Sequence, residues 1–313
     1  MGLACRLECP EALMPSLLAA YGEDGVEREL RALQTVAPLD FRVNTLRITR
    51  EEALATLRTA GVAAAPTPFS PLGIRLEGAV ALGRLPGLLE GHIDPQDEGA
   101  QLVALLLGAQ PGEHVVDYCA GAGGKSLALA TQMMNKGRLV ACDIDDAQLH
   151  RSALRHALAG VDNVQHHLIK AGKDKWLKRR KRSYDRVLVD APCTGIGTWR
   201  RNPYARWVPM APPLHELLPI QAEVLQRGAR LVRPGGVLLY ATRSLLPEEN
   251  ENQIARFLAS DDGAEFEMAP PRDFHVPLDG DYLRLTPARQ GCDGFFGAVL
   301  RRQEGGWTRG RRR

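Results

Sequence analysis

The chain is expected to fold as a Rossmann-like α/β domain, a parallel sheet with helices on both faces, preceded by a small α+β unit. Three observations predict this. From residue 111 onward, apolar strand-like runs alternate with helical ones, the pattern of successive βαβ units. The glycine-rich run Gly121-Ala122-Gly123-Gly124 sits between one such strand and the helix after it. Residues 10 to 76 carry a shorter alternation of their own, and 313 residues with 44% hydrophobic content are enough to bury a substantial core.

Residues 10 to 36 read as helical, with Leu13, Leu17, Leu18, Tyr21, Leu30 and Leu33 spaced for one buried face and interruptions at Gly22 and Gly25. Leu39 to Thr45 alternates as a strand. Thr49 is placed to cap a helix over Glu51 to Ala60, whose Glu51 and Glu52 complement the N-terminal dipole, and Gly61 ends it. Pro66, Pro68 and Pro71 lead to a strand at Ile74 to Leu76, completing the small unit. In the larger domain, strands are expected at His114 to Cys119, Arg138 to Asp143, Val164 to Ile169, Tyr184 to Asp190 and Gly236 to Thr242. Helices are expected at Ser126 to Met134, Ala147 to Ala159 and Leu214 to Leu231. Ligands on such a sheet bind beyond the carboxyl ends of the strands, at the switch point.

Composition narrows the function classes. The formal net charge is only +3, so an argument for nucleic acid rests on where the cations lie. They cluster: Lys173, Lys175, Lys178, Arg179, Arg180, Lys181 and Arg182 surround Trp176, and Arg309 and Arg311 to Arg313 close the chain. The six cysteines lack the spacing of a small disulfide scaffold, and the Cys5/Cys9 pair has no second Cys/His pair at zinc spacing, so no metal is expected. No window approaches a membrane span, and Arg6 breaks the myristoylation pattern that Met1-Gly2 begins. The expectation is a cytoplasmic monomer.

The turn Cys119-Ala120-Gly121-Ala122-Gly123-Gly124-Lys125-Ser126 brings backbone close to a ligand at a helix start. A phosphate loop needs glycine five residues before Gly124, where Cys119 stands, and a dinucleotide fingerprint needs glycine where Ser126 stands. S-adenosylmethionine is the remaining candidate. Asp143, ending the next strand twenty residues after Gly123, is then placed for the ribose hydroxyls, with Asp145 either sharing that task or starting the following helix.

Asp190-Ala191-Pro192-Cys193-Thr194-Gly195 follows the apolar strand Val187-Leu188-Val189 at the same sheet edge. A cysteine there is suited to attack C6 of a pyrimidine, because a thiolate is a soft, strong nucleophile. Together with Arg42 to Leu46, Gln96 to Gln101, Thr198-Trp199-Arg200-Arg201-Asn202-Pro203, Leu246 to Glu251 and Asp293-Gly294-Phe295-Phe296, these words resemble the Sun-type RNA cytosine-5 methyltransferase family over residues 10 to 302, without the N-terminal antitermination-factor-like domain of some relatives. The resemblance implies a class I methyltransferase sheet over residues 93–302, an RNA-binding helical and α+β region over 1–92 and a basic tail over 303–313. It implies that one cysteine, the middle residue of a Thr-Cys-Ser word, adds to C6, and that the Pro-Cys cysteine assists release.

Here that middle residue is Arg243, whose guanidinium is always protonated and has no lone pair to attack with. Where relatives carry an acid that helps bind adenosine, the chain reads Ile169-Lys170-Ala171-Gly172-Lys173; Asp174 either compensates for it or, from its place in the basic cluster, serves at the surface. The expected activity is S-adenosylmethionine-dependent methylation of cytosine in RNA, most of all ribosomal RNA. Cys193 then serves as nucleophile, Asp190 holds the base edge, Lys125 lies beside it, and Arg243 contacts phosphate or the cytosine carbonyl. Lys178, Arg179, Arg180, Lys181, Arg182, Arg200 and Arg201 are expected to meet RNA phosphates. A catalytically silent RNA-binding protein is the alternative.

Overall fold

The structure, a computed structural model, describes residues 2–78, 80–170, 174–208 and 212–305. Lys173, Arg309 and Arg311 to Arg313 lie outside them. Helices α1 (Leu3–Arg6) and α2 (Met14–Ala32) lead the chain, and α2 kinks at Gly22, which takes φ 66°, while Gly25 stays helical. The alternation after Pro38 becomes β1 (Leu39–Val43), an inner strand of a four-stranded antiparallel sheet ordered β2 (Ala64–Pro66), β3 (Gly73–Leu76), β1, β4 (Ile93–Pro95). Helix α3 (Arg50–Thr59) opens on the expected cap, extended to a full capping box. The Thr49 hydroxyl accepts from the Glu52 amide while the Glu52 carboxylate accepts from the Thr49 amide at 2.9 Å.

The second sheet has β7 (Val164–Leu168), β6 (Arg138–Asp143), β5 (His114–Asp117), β8 (Tyr184–Asp190) and β9 (Val232–Thr242) in parallel. It continues with antiparallel β12 (Phe295–Arg302), which pairs both β10 (Phe266–Met268) and β11 (Tyr282–Leu285). Strand β9 starts before its expected beginning, because Val232 pairs Tyr184 ahead of an irregularity and regular pairing resumes at Val237 opposite Arg186. One face is covered by α4 (Glu98–Leu107), α5 (Gly124–Gln132) and α6 (Asp146–Ala159), the other by α8 (Leu214–Ala229) and α9 (Glu251–Leu258), with separate apolar cores on the two sides. Short α7 (Lys175–Arg179) precedes β8 and α10 (Pro287–Gln290) precedes β12. Chain order reverses between β5 and β8, so the crevice of the fold opens past Asp117 and Asp190.

Two rivets fix the small sheet to the large one. Arg42 is wholly buried, donates to Gln96 at 2.7 Å and Thr131 at 3.4 Å, and faces Asp94 at 3.6 Å. Asn44 donates to the carbonyls of Gly91 and Ala159, both at 2.8 Å. The N-terminal helices do not stand apart either. Leu7, Leu13, Leu17 and Leu30 share an apolar cluster with Ile196, Trp199, Leu245 and Leu246, which belong to the segments beyond β8 and β9. No described helix is long and apolar enough to cross a membrane, and no group of three or more His, Cys, Asp or Glu among the described residues is arranged to hold a metal ion.

Candidate active site

A cleft of about 700 Å³ opens at the switch point, lined by the ends of β5, β6 and β8 and the segments that follow them. Asp117 ends β5 inside the protein. One of its carboxylate oxygens accepts from Ser126 at 2.7 Å and the other is buried without a partner, and burial pushes its pKa up to about 7. The glycine turn follows. Gly121 has φ 54° and a Cβ there would meet nothing, so this backbone faces open space in the cleft. Gly123, expected beside the cofactor, is not a lining residue: at φ 80° its Cβ would lie 2.2 Å from the Ser152 hydroxyl, so it allows α6 to pack.

Asp143 is at the cleft wall. It steadies the turn by accepting from the Gly121 amide at 2.7 Å and accepts from Asp145 at 3.0 Å. Asp145 itself caps α6, accepting from Ala147 and Gln148. Ile144, 80% exposed, and Ile169 supply apolar wall beside Asp143. Asp174 is a buried cap rather than a surface residue, bonded to the amides of Trp176 and Leu177 and to His167. Cys119, Ala120, Ala122, Gly124 and Lys125 also line the cleft, and the Cys119 thiol is driven well above its ordinary range by burial and by Asp117. This donor set suits an elongated ligand with a flat apolar ring, adjacent hydroxyls and a cationic group.

At the β8 end, Lys125 forms an ion pair with Asp190 at 2.6 Å, leaving the other Asp190 oxygen buried and unpartnered. Cys193 and Arg243 face each other across two loops. The Arg243 amide donates to the Cys193 sulfur at 3.3 Å, its carbonyl accepts from Gly197 at 3.0 Å, and Gly197 in turn accepts from Gly294 at 2.8 Å. Gly197 and Gly294 must be glycines, since a Cβ on Gly197 would sit 2.3 Å from the Gly294 carbonyl. The Arg243 side chain is exposed, lines the cleft and forms no ion pair with a described residue. The Cys193 thiol is pushed up to about 11 by burial and the nearby Glu249 carboxylate, with Arg243 and its amide pulling the other way.

Sequence reasoning missed the residue that joins these loops. Glu249 is fully buried and accepts from the Thr194 amide at 2.8 Å, the Thr194 hydroxyl at 2.6 Å, Gln221 at 2.9 Å and the Ser244 hydroxyl. Asn250 accepts from Thr242 at 2.6 Å and donates to the Ser244 carbonyl at 3.0 Å. Their position in Leu246 to Glu251 was the available signal, but nothing local marks an acid there as buried.

Several expected RNA contacts sit elsewhere. Arg200 is buried, 2.7 Å from Asp293, with its guanidinium also bonded to the Gly291 carbonyl, which runs against the expectation that it meets RNA phosphates. Arg201 lines the cleft with its charge met by Asp97 at 2.8 Å and by Asp293. In the basic run, Lys178, Arg179, Lys181 and Arg182 are exposed, Arg180 stacks over Trp176 at 4.6 Å, and Arg182 pairs with Glu265 at 2.8 Å. Arg182 lies just before β8, at the end opposite Asp190, and the strand between them is about 20 Å long at about 3.3 Å per residue. Lys178 and Lys181 border a recess of about 180 Å³ that shares Arg227 with the cleft.

Residues 104–301 match the family model described as 16S rRNA methyltransferase RsmB/F, and residues 9–83 match that of an RsmF/B-like ferredoxin-like domain. Ribosomal RNA small subunit methyltransferase B of Salmonella paratyphi B is 35% identical over 277 residues, covering 88% of this chain and 62% of that protein. The probable counterpart in Synechocystis sp. is 33% identical over 300 residues, covering 94% and 66%. The chain therefore spans a little under two thirds of the length of these curated relatives. The crystal structure of a methyltransferase homologue from Pyrococcus horikoshii superposes with a TM-score of 0.81 at 28% identity, covering 96% of this chain and 97% of that one.

Proposed function

Because the chain belongs to the 16S rRNA methyltransferase RsmB/F family, we propose that it methylates C5 of a cytosine in small-subunit ribosomal RNA, with Cys193 attacking C6 in place of the side chain exchanged at Arg243. The cofactor is S-adenosylmethionine, which supplies an electrophilic methyl group on a sulfonium. Asp143 would hold its ribose, Ile144 and Ile169 its adenine, and the unpartnered Asp117 oxygen its cationic end.

One observation carries the choice of nucleophile. The remaining thiol is 3.3 Å from the backbone nitrogen of the very position that has lost its sulfur. Addition of the Cys193 thiolate to C6 would raise electron density at C5, which takes the methyl group as the methyl–sulfur bond breaks and the sulfonium becomes a thioether; loss of the C5 proton to water would then let the C6–S bond break and restore the thiolate. Asp190, with one oxygen free of protein partners, would accept from the cytosine amino group, while its ion pair with Lys125 at 2.6 Å holds the carboxylate in position. Arg243 faces the cleft as a cation suited to the base carbonyl or a phosphate.

A second reading, a protein that binds cofactor and RNA without methylating, is favoured by the raised Cys193 thiol. Near 11, about one part in 10⁴ is ionised at pH 7. RNA carrying 5-fluorocytidine separates the two, because fluorine at C5 prevents the elimination. A denaturant-stable adduct at Cys193, mapped by peptide mass spectrometry and absent from Cys193→Ala, supports attack by Cys193. Cofactor binding without adduct or methyl transfer leaves the silent reading.

A further inference from the structure

Beyond the cleft, the chain turns Tyr204 and Trp207 outward on a 3₁₀ turn, Pro203–Arg206, that immediately follows the cleft residues Arg201 and Asn202. Tyr204 is 73% exposed and Trp207 57%. Tyr204 lies in the turn and Trp207 caps it, at φ −106° and ψ −13°, so the two stand one 3₁₀ repeat apart and their side chains emerge at neighbouring positions. The Trp207 amide bonds to the Tyr204 carbonyl at 3.0 Å, which fixes the pair's spacing.

The opposite face of the turn is anchored. Arg206 is buried, pairs with Glu8 at 3.0 Å, donates to the Leu33 carbonyl at 3.1 Å and lies over the Trp199 ring at 5.5 Å. A turn held this firmly from below, with two large rings presented to solvent beside an active-site cleft, is a rigid aromatic platform.

We propose that Tyr204 and Trp207 stack an unpaired RNA nucleotide adjacent to the target cytosine. The proposal rests on the methyltransferase reading above. Chemistry at C5 inside a cleft requires the target base to leave its stack, which strips its neighbours of one stacking face. An aromatic pair at the rim replaces that face whatever the neighbouring base is, since every base has a π surface. The patch also fits a small occupant better than a second copy of the chain. Two partly exposed rings offer roughly 300 Å², against about 800 Å² on each partner for a stable interface. The strand leading from a base stacked here into the cleft would meet the cation Arg243, which lines it.

Binding of a single-stranded, cytosine-containing oligoribonucleotide to the full chain tests this, with fluorescence titration and calorimetry for native protein, Trp207→Leu, Tyr204→Ala and the conservative Tyr204→Phe. Loss of one stacked base corresponds to about a 5- to 150-fold rise in Kd. We expect that rise in Trp207→Leu and Tyr204→Ala, with Tyr204→Phe close to native. The salt slope and the Kd for S-adenosylmethionine should be unchanged, and the RNA-dependent fluorescence quenching should be lost in Trp207→Leu. Native RNA affinity in Trp207→Leu and Tyr204→Ala would overturn the platform alone. If native protein binds the cofactor but no RNA, the methyltransferase reading falls with it. Self-association of native protein that Trp207→Leu abolishes, with RNA affinity unchanged, would give the patch to a second copy instead.

Discussion

The two halves of the site, the cofactor cleft and the thiol loops beside it, are built at one sheet edge and differ in where their hydrogen bonds go. On the cofactor side, Asp117 keeps a buried oxygen without a partner and Gly121 leaves open space where a side chain would point. That half is incomplete without a ligand. On the thiol side, Glu249 and Gln221 bond one another, together with Asn250 they hold both loops, and Gly197 is wedged between Arg243 and Gly294. There the loop scaffold is complete by itself, while the Asp190 oxygen beside it is left without a partner. At position 243 the contacts run through the backbone amide and carbonyl, so the loop is held whatever the side chain is. A site of this kind can exchange its reactive atom while every scaffold bond stays in place.

Arg243→Cys breaks the comparison most sharply. If the thiol half is an intact scaffold lacking one sulfur, this change should raise cytosine-5 methylation by about 10³-fold or more, the scale on which nucleophiles matter. Tritiated methyl transfer to ribosomal RNA fragments measures it. No increase, in a variant that still binds cofactor and RNA, would mean that the thiol half has lost more than its sulfur.

Glu249→Ala should come next, now in stability. It leaves a buried amide, a buried amide side chain and two hydroxyls without their acceptor, so unfolding free energy should drop by about 3 kcal/mol or more in a urea titration. A drop below about 1 kcal/mol would show that the loops hold themselves.

Asp117 sharpens the cofactor side. Its folded pKa, about 7, is above that of an exposed carboxyl. The native state therefore binds more protons than the unfolded chain between about pH 4 and 7, and stability contributed at this site falls as pH rises through that window. Asp117→Asn should gain on native protein in thermal denaturation as pH moves from 5 to 8, by up to about 3 kcal/mol. Its affinity for S-adenosylmethionine should drop about 10- to 100-fold, as for loss of a charged hydrogen bond. A pH-independent difference between the two proteins would remove the raised pKa from the argument.

The smallest effect belongs to the basic run. Replacing Lys178, Arg179 and Lys181 with alanine should weaken RNA binding a fewfold without regard to sequence, and flatten the salt dependence by up to about 0.7 to 0.9 per lost phosphate contact. An unchanged slope would leave these cations as a solvated surface behind the cofactor end of the cleft.

Where residues specify their own local structure, the sequence was legible. Strands Arg138–Asp143 and Tyr184–Asp190 appear with their expected limits because apolar runs end sharply at an acid, and Thr49 caps its helix because Glu52 completes the box. No helix was expected at Glu98–Leu107, since all but two of its ten residues are buried and no polar face marks a helical period. Strand Phe295–Arg302 was missed for a similar reason, being buried along nearly all its length. In the candidate site, Asp143, Asp190, Cys193 and Arg243 could be placed from strand ends and family words. The tasks of Glu249 and Arg200 could not, because an acid in Pro247-Glu248-Glu249-Asn250 and a doubled arginine read as solvated until distant chain covers them.

The Arg42 and Asn44 rivets have one more consequence. The ferredoxin-like unit is bolted to the helices that carry the glycine turn and its neighbour, Arg42 reaching α5 and Asn44 the end of α6. Its surface thus stands at a set span from the cleft, as one end of a ruler stands from the other. Anything that rests on the N-terminal unit and the cleft at once must match that one span.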